Sequence, residues 1–238
     1  MALNKKEKLE TKRTPFAVVE AYNTVRTNLL FLLSQHNGKV VTISSPSASE
    51  GKSTTAVNVA IAFSQLGSRT LLIDADLRRP STHKKLHIEN DKGLSSVLVG
   101  FCEVNEAIKT INPHFDVLPS GPIPPNPSEM LASESMDKLI EQLKDKYDYI
   151  IVDTPPVNIV SDALLIAPRT DGIIMVIRDF TTCHDDFKSA ITSIEFAEIR
   201  ILGVVLNGAA QKTRKYKYKS KYRYHYYRSY GDSAYFNK

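Results

Sequence analysis

An α/β fold, with a mostly parallel sheet covered by helices on both faces, is predicted by three observations. Short apolar runs alternate with segments of helical period, a Gly-Lys-Ser turn links the first run to the helix after it, and acids stand at the ends of two later runs. A sheet with one wet face would alternate apolar with polar residues. Strands buried on both faces read as continuous apolar stretches, which is the pattern here.

The elements follow in order. A first helix over Pro15–Ser34 precedes the first apolar run, so residues 1–38 are expected to form a peripheral arm. The strand Val40–Ser44 leads through a glycine turn into a helix over Thr54–Leu66, whose Ala56, Val57, Ala60, Phe63 and Leu66 share a stripe and which stops at Gly67. Strands are read at Thr70–Asp74 and Phe115–Leu118. Pro119-Ser-Gly-Pro-Ile-Pro-Pro-Asn126 is a stiff loop, either spacer or functional. Asn126-Pro127-Ser128-Glu129 has the order of N-cap, N1 proline and N3 acid, a capping-box start for a helix to about Leu143. Three more strands, Tyr149–Asp153, Gly172–Ile177 and Ile201–Leu206, complete the set.

Composition sets the outer limits. With 238 residues and 42% hydrophobic content the chain can build one large domain, placed at 39–210. No apolar run approaches the ~18 residues of a bilayer span and the N-terminus opens no signal peptide, so a cytoplasmic location is expected. Cys102 and Cys183 have no metal or redox spacing and read as two structural thiols, and the histidines form no ligand set with them. The net charge of +5 is unevenly spread: residues 211–238 hold nine Lys or Arg against one Asp, leaving the body at −3. That basic tail lacks hydrophobic periodicity and is expected to be disordered when free.

The segment Ser44–Thr55 lies between a strand and a helix, the context of a phosphate-binding loop. Backbone amides around Ser49, Glu50, Gly51 and Thr54 would cradle phosphates, Lys52 would neutralise them, and the Ser53 hydroxyl could ligate Mg²⁺. Pro46 and Ser49 stand where glycines are usual. Should Ser49 need positive φ, it costs about 1 kcal/mol relative to glycine. Asp74 and Asp76 lie at a strand's carboxyl edge, where alternation places them on one side. Two carboxylates there suit Mg²⁺ and proton acceptance; the alternative is that they cap a turn. Asp153, before Thr154-Pro-Pro156, ends a third strand.

The phosphate loop, the Asp74-x-Asp76-x-Arg78 segment and the Asp153 segment resemble the Walker A, A′ and B motifs of bacterial tyrosine kinases of capsular and exopolysaccharide export, P-loop NTPases related in fold to the MinD/ParA ATPases. Gly121-Pro-Ile-Pro-Pro-Asn-Pro127, Leu202-Gly-Val-Val-Leu-Asn207 and the tyrosine cluster extend the resemblance over about residues 15–238. It implies ATP and Mg²⁺ as cofactors: Lys52 and Ser53 on phosphate and metal, Asp76 directed to the metal, Asp153 holding metal water, Asp74 receiving the tyrosine proton and Asn207 contacting adenine. It also implies a separate membrane-spanning activator that recruits the kinase to the inner face of the membrane, a cognate tyrosine phosphatase and a homo-oligomer. Other protein substrates are compatible with it. The family's Glu-x-x-Arg-x-x-Arg ring motif reads Glu20-Ala-Tyr-Asn23-Thr-Val-Arg26, without its middle arginine.

The tail carries eight of the chain's 11 tyrosines, Tyr216, Tyr218, Tyr222, Tyr224, Tyr226, Tyr227, Tyr230 and Tyr235, as candidate phosphorylation sites. Flexible, it would span on the order of 30 Å, enough to reach a neighbouring subunit. Tyr22, Tyr147 and Tyr149 read instead as packing groups. A rival reading makes the tail a basic aromatic arm of an ATPase switch, binding membrane or single-stranded nucleic acid, although nucleic acid is not the expected partner. A weakly active scaffold is a third.

Overall fold

The computed structural model describes residues 15–35 and 38–209. Helix α1 spans Phe16–Ser34, strand β1 Val40–Ser44, α2 Lys52–Ser64, β2 Thr70–Asp74, α3 Thr82–Leu86, α4 Leu94–Leu98, α5 Val104–Ala107 and β3 Lys109–Asn112. Then come β4 Phe115–Leu118, α6 Pro127–Leu131, α7 Glu134–Lys144, β5 Tyr149–Asp153, α8 Asp162–Ile166, a 3-10 turn Ala167–Arg169, β6 Ile173–Arg178, α9 His184–Phe196 and β7 Ile201–Asn207. The chain divides into residues 1–21 with 210–238, and Tyr22–Ala209. Of the first unit, residues 15–21 are described, and from Phe16 onward they are the opening of α1.

The second unit holds a seven-stranded sheet in the order β3-β4-β2-β5-β1-β6-β7. Every neighbouring pair is parallel except β3 with β4. All six expected strands are present to within a residue at their ends. The additional strand, β3, is a polar and mostly exposed edge of four residues, so it carries no apolar run by which it could be found.

Alternate side chains of the central strands enter different cores. Val40, Leu71, Ile73, Ile150 and Val152 pack with α7 residues such as Met136 and Ile140. Val41, Ile43, Leu72 and Ile151 pack with Ala56, Val59, Ala60 and Phe63 of α2 and Leu29 and Leu33 of α1. A third cluster joins Ile173 and Met175 to Ala190 and Ile194 of α9. Both faces of the sheet are therefore covered, as the largely apolar runs require. Tyr149 lies with its ring 4.3 Å from that of Phe63, and the buried Tyr147 donates to Asp116 Oδ2 at 2.8 Å.

The helix expected from Asn126 to Leu143 is two helices. Ser133 takes an extended conformation, φ −73° and ψ 157°, ending one helix and starting the next, and its hydroxyl donates to Met130 O at 2.7 Å. Asn126 does not close a capping box; its Nδ2 donates to Glu129 Oε2 at 2.7 Å instead. Cys102 is half-buried against the core, but Cys183 is exposed and is not a packed thiol.

Candidate functional site

Parallel pairing sets Ile43 beside Asp153 and Asp153 beside Asp74, so the ends of β1, β5 and β2 converge at one edge. The loop from Ser45 to Gly51 lies there between β1 and α2. Ser49 has φ 65° and Gly51 φ 98°. Serine therefore occupies a left-handed position that glycine adopts more readily. A Cβ on Gly51 would fall 1.9 Å from Asn207 Nδ2, so close approach also demands glycine. Helix α2 starts at Lys52, two residues earlier than expected, and no side chain caps it. Its uncapped first-turn amides are a ready anion site.

The loop is held from behind. Glu50 is 1% exposed, accepts from Ser47 N at 3.0 Å and from the Thr182 hydroxyl at 2.6 Å. Arg178 Nη1 donates to Ser49 O at 3.1 Å, and Asn207 Nδ2 to Glu50 O at 2.9 Å. Asn207 thus touches the phosphate loop as well as lining the cavity.

In front of the loop is a cavity of about 800 Å³ lined by Ser49, Gly51–Thr54, Asp76, Arg78, Arg79, Pro155, Pro156, Arg178 and Asn207, among others. Lys52 Nζ donates to Asp76 Oδ2 at 2.7 Å and lies 3.7 Å from Asp153 Oδ1. Burial works against the Lys52 charge, but Asp153, Asp76 and Asp74 outweigh it and hold the ammonium above its usual pKa. Asp153 is fully buried and neither carboxylate oxygen has a hydrogen-bond partner. That burial pushes its pKa up to about 7 against the pull of Lys52. A buried carboxylate beside a hydroxyl is an oxygen-only donor set that fits Mg²⁺, with Ser53 and Asp153 as the residues that would hold it, while Asp76 is paired with Lys52 at the cavity wall. Among the described residues no three His, Cys, Asp or Glu converge as a metal cage, so the ion would complete its shell with water and phosphate oxygen.

Asp74 and Asp76 diverge, contrary to the expectation that both face the ligand side. The strand ends at Asp74, so the two-residue alternation does not carry on to Asp76. Asp74 Oδ2 accepts from the Thr82 hydroxyl at 2.5 Å, Thr82 N at 3.1 Å and Ser81 N at 3.2 Å, and tethers the start of α3. Burial raises its pKa, partly offset by Thr82. It does not line the cavity, whereas Asp76 does. Capping, the other reading open for this pair, describes what Asp74 does here.

Three further contacts had no signal in the sequence: Glu50 with Thr182, Asn207 with Glu50, and Arg78 with Asp162. The eight tail tyrosines lie outside the described residues. In the shortened ring motif Arg26 Nη1 donates to Asn23 Oδ1 at 3.2 Å and to Ala62 O at 3.0 Å.

Known proteins share this sequence pattern and fold. An AAA domain family model matches residues 38–182. Tyrosine-protein kinase YwqD of Bacillus subtilis (strain 168) is 39% identical over 216 residues, covering 87% of this chain and 91% of that protein. The chain belongs to the bacterial tyrosine-protein kinase family. The kinase domain of Escherichia coli tyrosine kinase ETK superposes with a TM-score of 0.79 at 34% identity, over 82% of this chain and 76% of that one. The family shares the P-loop fold of MinD: the septum site-determining protein MinD complexed with Mg-ADP from Pyrococcus horikoshii OT3 gives a TM-score of 0.60 at 25% identity, over 71% and 69% of the two chains. Among the described residues of this kinase-family chain, no helix is long and apolar enough to cross a membrane.

Proposed function

We propose that this chain is an ATP-dependent protein-tyrosine kinase that phosphorylates the tyrosine cluster of its C-terminal tail in trans, between copies of itself. The observation that carries the reading is the cluster of Lys52, Asp76 and the buried Asp153 at the mouth of an uncapped helix, in a member of the tyrosine-kinase family. Mg²⁺, held by Ser53 and Asp153, would neutralise charge on the phosphates. Lys52, now paired with Asp76, would turn to the β- and γ-phosphates, and the freed Asp76 would face the acceptor. A tyrosine hydroxyl, with an ordinary pKa of about 10, is protonated at neutral pH and needs an acceptor as its bond to phosphorus forms. Asp76, at the cavity wall, is better placed for that proton than Asp74, which is committed to Thr82. Asp153 would hold the metal through water, and Asn207 would meet the adenine.

Tail phosphorylation acts as a charge switch. At about −1.5 to −2 per phosphate, full modification would turn the tail from +8 to strongly negative. Copies held together by basic tails on acidic bodies would then separate. The kinase works with a membrane-spanning activator at the inner face of the membrane, is reversed by a tyrosine phosphatase, and governs capsular or exopolysaccharide synthesis and export. The test is intact-mass analysis after incubation with Mg-ATP, with and without an activator segment. Phosphates should map to the tail and be absent from Lys52→Met and from a chain ending at Gln211. Nucleotide binding with no phosphotyrosine, activator present, would replace this reading with an ATPase switch or a scaffold.

A further inference from the structure

Arg78 lines the cavity with its side chain 38% exposed, yet it is anchored by a carboxylate that never reaches the cavity. Asp162, at the start of α8, has a fully buried side chain. Its Oδ2 accepts from Arg78 Nε at 2.8 Å and its Oδ1 from Arg78 Nη2 at 3.2 Å. Ser128 of α6 closes the figure: its hydroxyl donates to Asp162 Oδ1 at 2.7 Å and accepts from Arg78 Nη2 at 2.7 Å. Two segments, 50 and 84 positions beyond Arg78, thus meet on its guanidinium.

A two-point grip of this kind fixes the plane of the guanidinium as well as its position, which a lysine in its place could not reproduce. With Nε and Nη2 committed, Nη1 is left without an acceptor among the described residues. Arg78 lines the same cavity as Asp76, Lys52 and the phosphate loop, so its remaining donors are available to a ligand held there.

We propose that Asp162, with Ser128, is the positioning residue that holds Arg78 ready to bind an equatorial oxygen of the phosphoryl group as it passes to tyrosine. This rests on the kinase reading above. In the step, the bond between the γ-phosphorus and the β–γ bridging oxygen breaks, the bond from phosphorus to the tyrosine oxygen forms, and the phenolic proton passes to Asp76. ADP leaves with the bonding pair. Arg78 is the group that touches the transferred phosphoryl; Asp162 acts only through it. Charge on the equatorial oxygens must be met by fixed donors, so a loosened Arg78 slows transfer without weakening the hold on nucleotide.

The experiment compares the full chain with Asp162→Asn, Arg78→Lys and Ser128→Ala. It measures the rate of phosphotyrosine formation at saturating Mg-ATP, the Kd for a fluorescent ATP analogue, and the melting temperature. Asp162→Asn and Arg78→Lys should each lower the rate 10- to 100-fold, on the order of one oxyanion-type donor. Nucleotide Kd should stay within twofold. Ser128→Ala should lower the rate a few-fold. The double variant Asp162→Asn/Arg78→Lys should be no slower than Arg78→Lys alone, because the two act as one unit. A wild-type rate in Asp162→Asn, a loss matched by nucleotide affinity, or multiplicative losses in the double variant would overturn the proposal. If Asp162→Asn does not fold, the rate-against-Kd split in Arg78→Lys and Ser128→Ala decides in its place. Absence of phosphotyrosine in the wild-type chain itself would overturn the kinase reading, and this one with it.

Discussion

Replacing Asp153 with asparagine should abolish phosphate transfer and yet make the nucleotide-free protein more stable above neutral pH. The carboxyl is fully buried with no hydrogen-bond partner, and its pKa rises from an ordinary 3.8 to about 7. At about 1.36 kcal/mol per unit this corresponds to roughly 4 kcal/mol between the folded and unfolded states. The sign follows from the direction of the rise. Below the unfolded value both states are protonated and Asp153 has no pH-dependent cost. As the pH climbs towards 7 the unfolded chain ionises while the folded one resists, so stability drains away, and above 7 the loss is complete. Asparagine has no such titration, and the other groups largely cancel between the two proteins. The variant's advantage should therefore widen by roughly 4 kcal/mol from pH 4 to pH 8. At ~2–4 °C per kcal/mol for a domain of this size, the melting temperatures should move apart by roughly 10 °C. Mg-nucleotide should narrow the gap at pH 8, because only the wild type gains about 2.7 kcal/mol at a hundredfold excess over Kd. Thermal unfolding of both proteins from pH 4 to 9, with and without Mg-ATP, makes the check. A gap that does not change with pH, or a wild type that is the more stable without nucleotide at pH 8, would refute the claim that burial of Asp153 outweighs the pull of Lys52.

Ser49→Gly removes a serine from φ 65° and should raise stability by about 1 kcal/mol, read as a higher melting temperature, with no loss of nucleotide affinity. Gly51→Ala should largely abolish nucleotide binding in a titration with a fluorescent ATP analogue, because the new Cβ would lie 1.9 Å from Asn207 Nδ2 in a backbone that already has φ 98°. Tyr147→Phe deletes the 2.8 Å bond to Asp116 from a phenol whose pKa burial and that carboxylate raise; it should cost about 1 kcal/mol in urea unfolding and leave activity alone. Thr182→Ala leaves one oxygen of the buried Glu50 without its 2.6 Å donor, so nucleotide affinity and stability should both fall, the latter by about 1–3 kcal/mol.

The sheet and the phosphate loop were legible in the amino-acid sequence because both are written in neighbouring residues. A strand covered on two faces reads as a nearly continuous apolar run, as Leu71–Ile73 and Ile150–Val152 do and as Val40–Ile43 does apart from the buried Thr42. A loop that presents amides to phosphate must lie between such a strand and a helix, with Lys and Ser at the helix start, and that order is local. The possible strain at Ser49 could be anticipated by the same means, since the residue stands where glycine is usual. Polar β3 left no such trace, and the break at Ser133 is a choice of backbone conformation that helical period does not encode. The assignment of roles within the site was decided by tertiary structure. Asp74 and Asp76 share a side only if the strand continues between them; it stops at Asp74, which turns to Thr82 while Asp76 meets Lys52. Arg78 could be seen as a cation near the site, but its partner Asp162 lies 84 residues further on and looks like any acid at a helix start. Glu50 with Thr182 and Asn207 with Gly51 are contacts of the same kind. Spacing along the chain identifies groups that can bind phosphate and metal; which carboxylate faces the ligand and which is spent on holding the fold depends on what packs beside it.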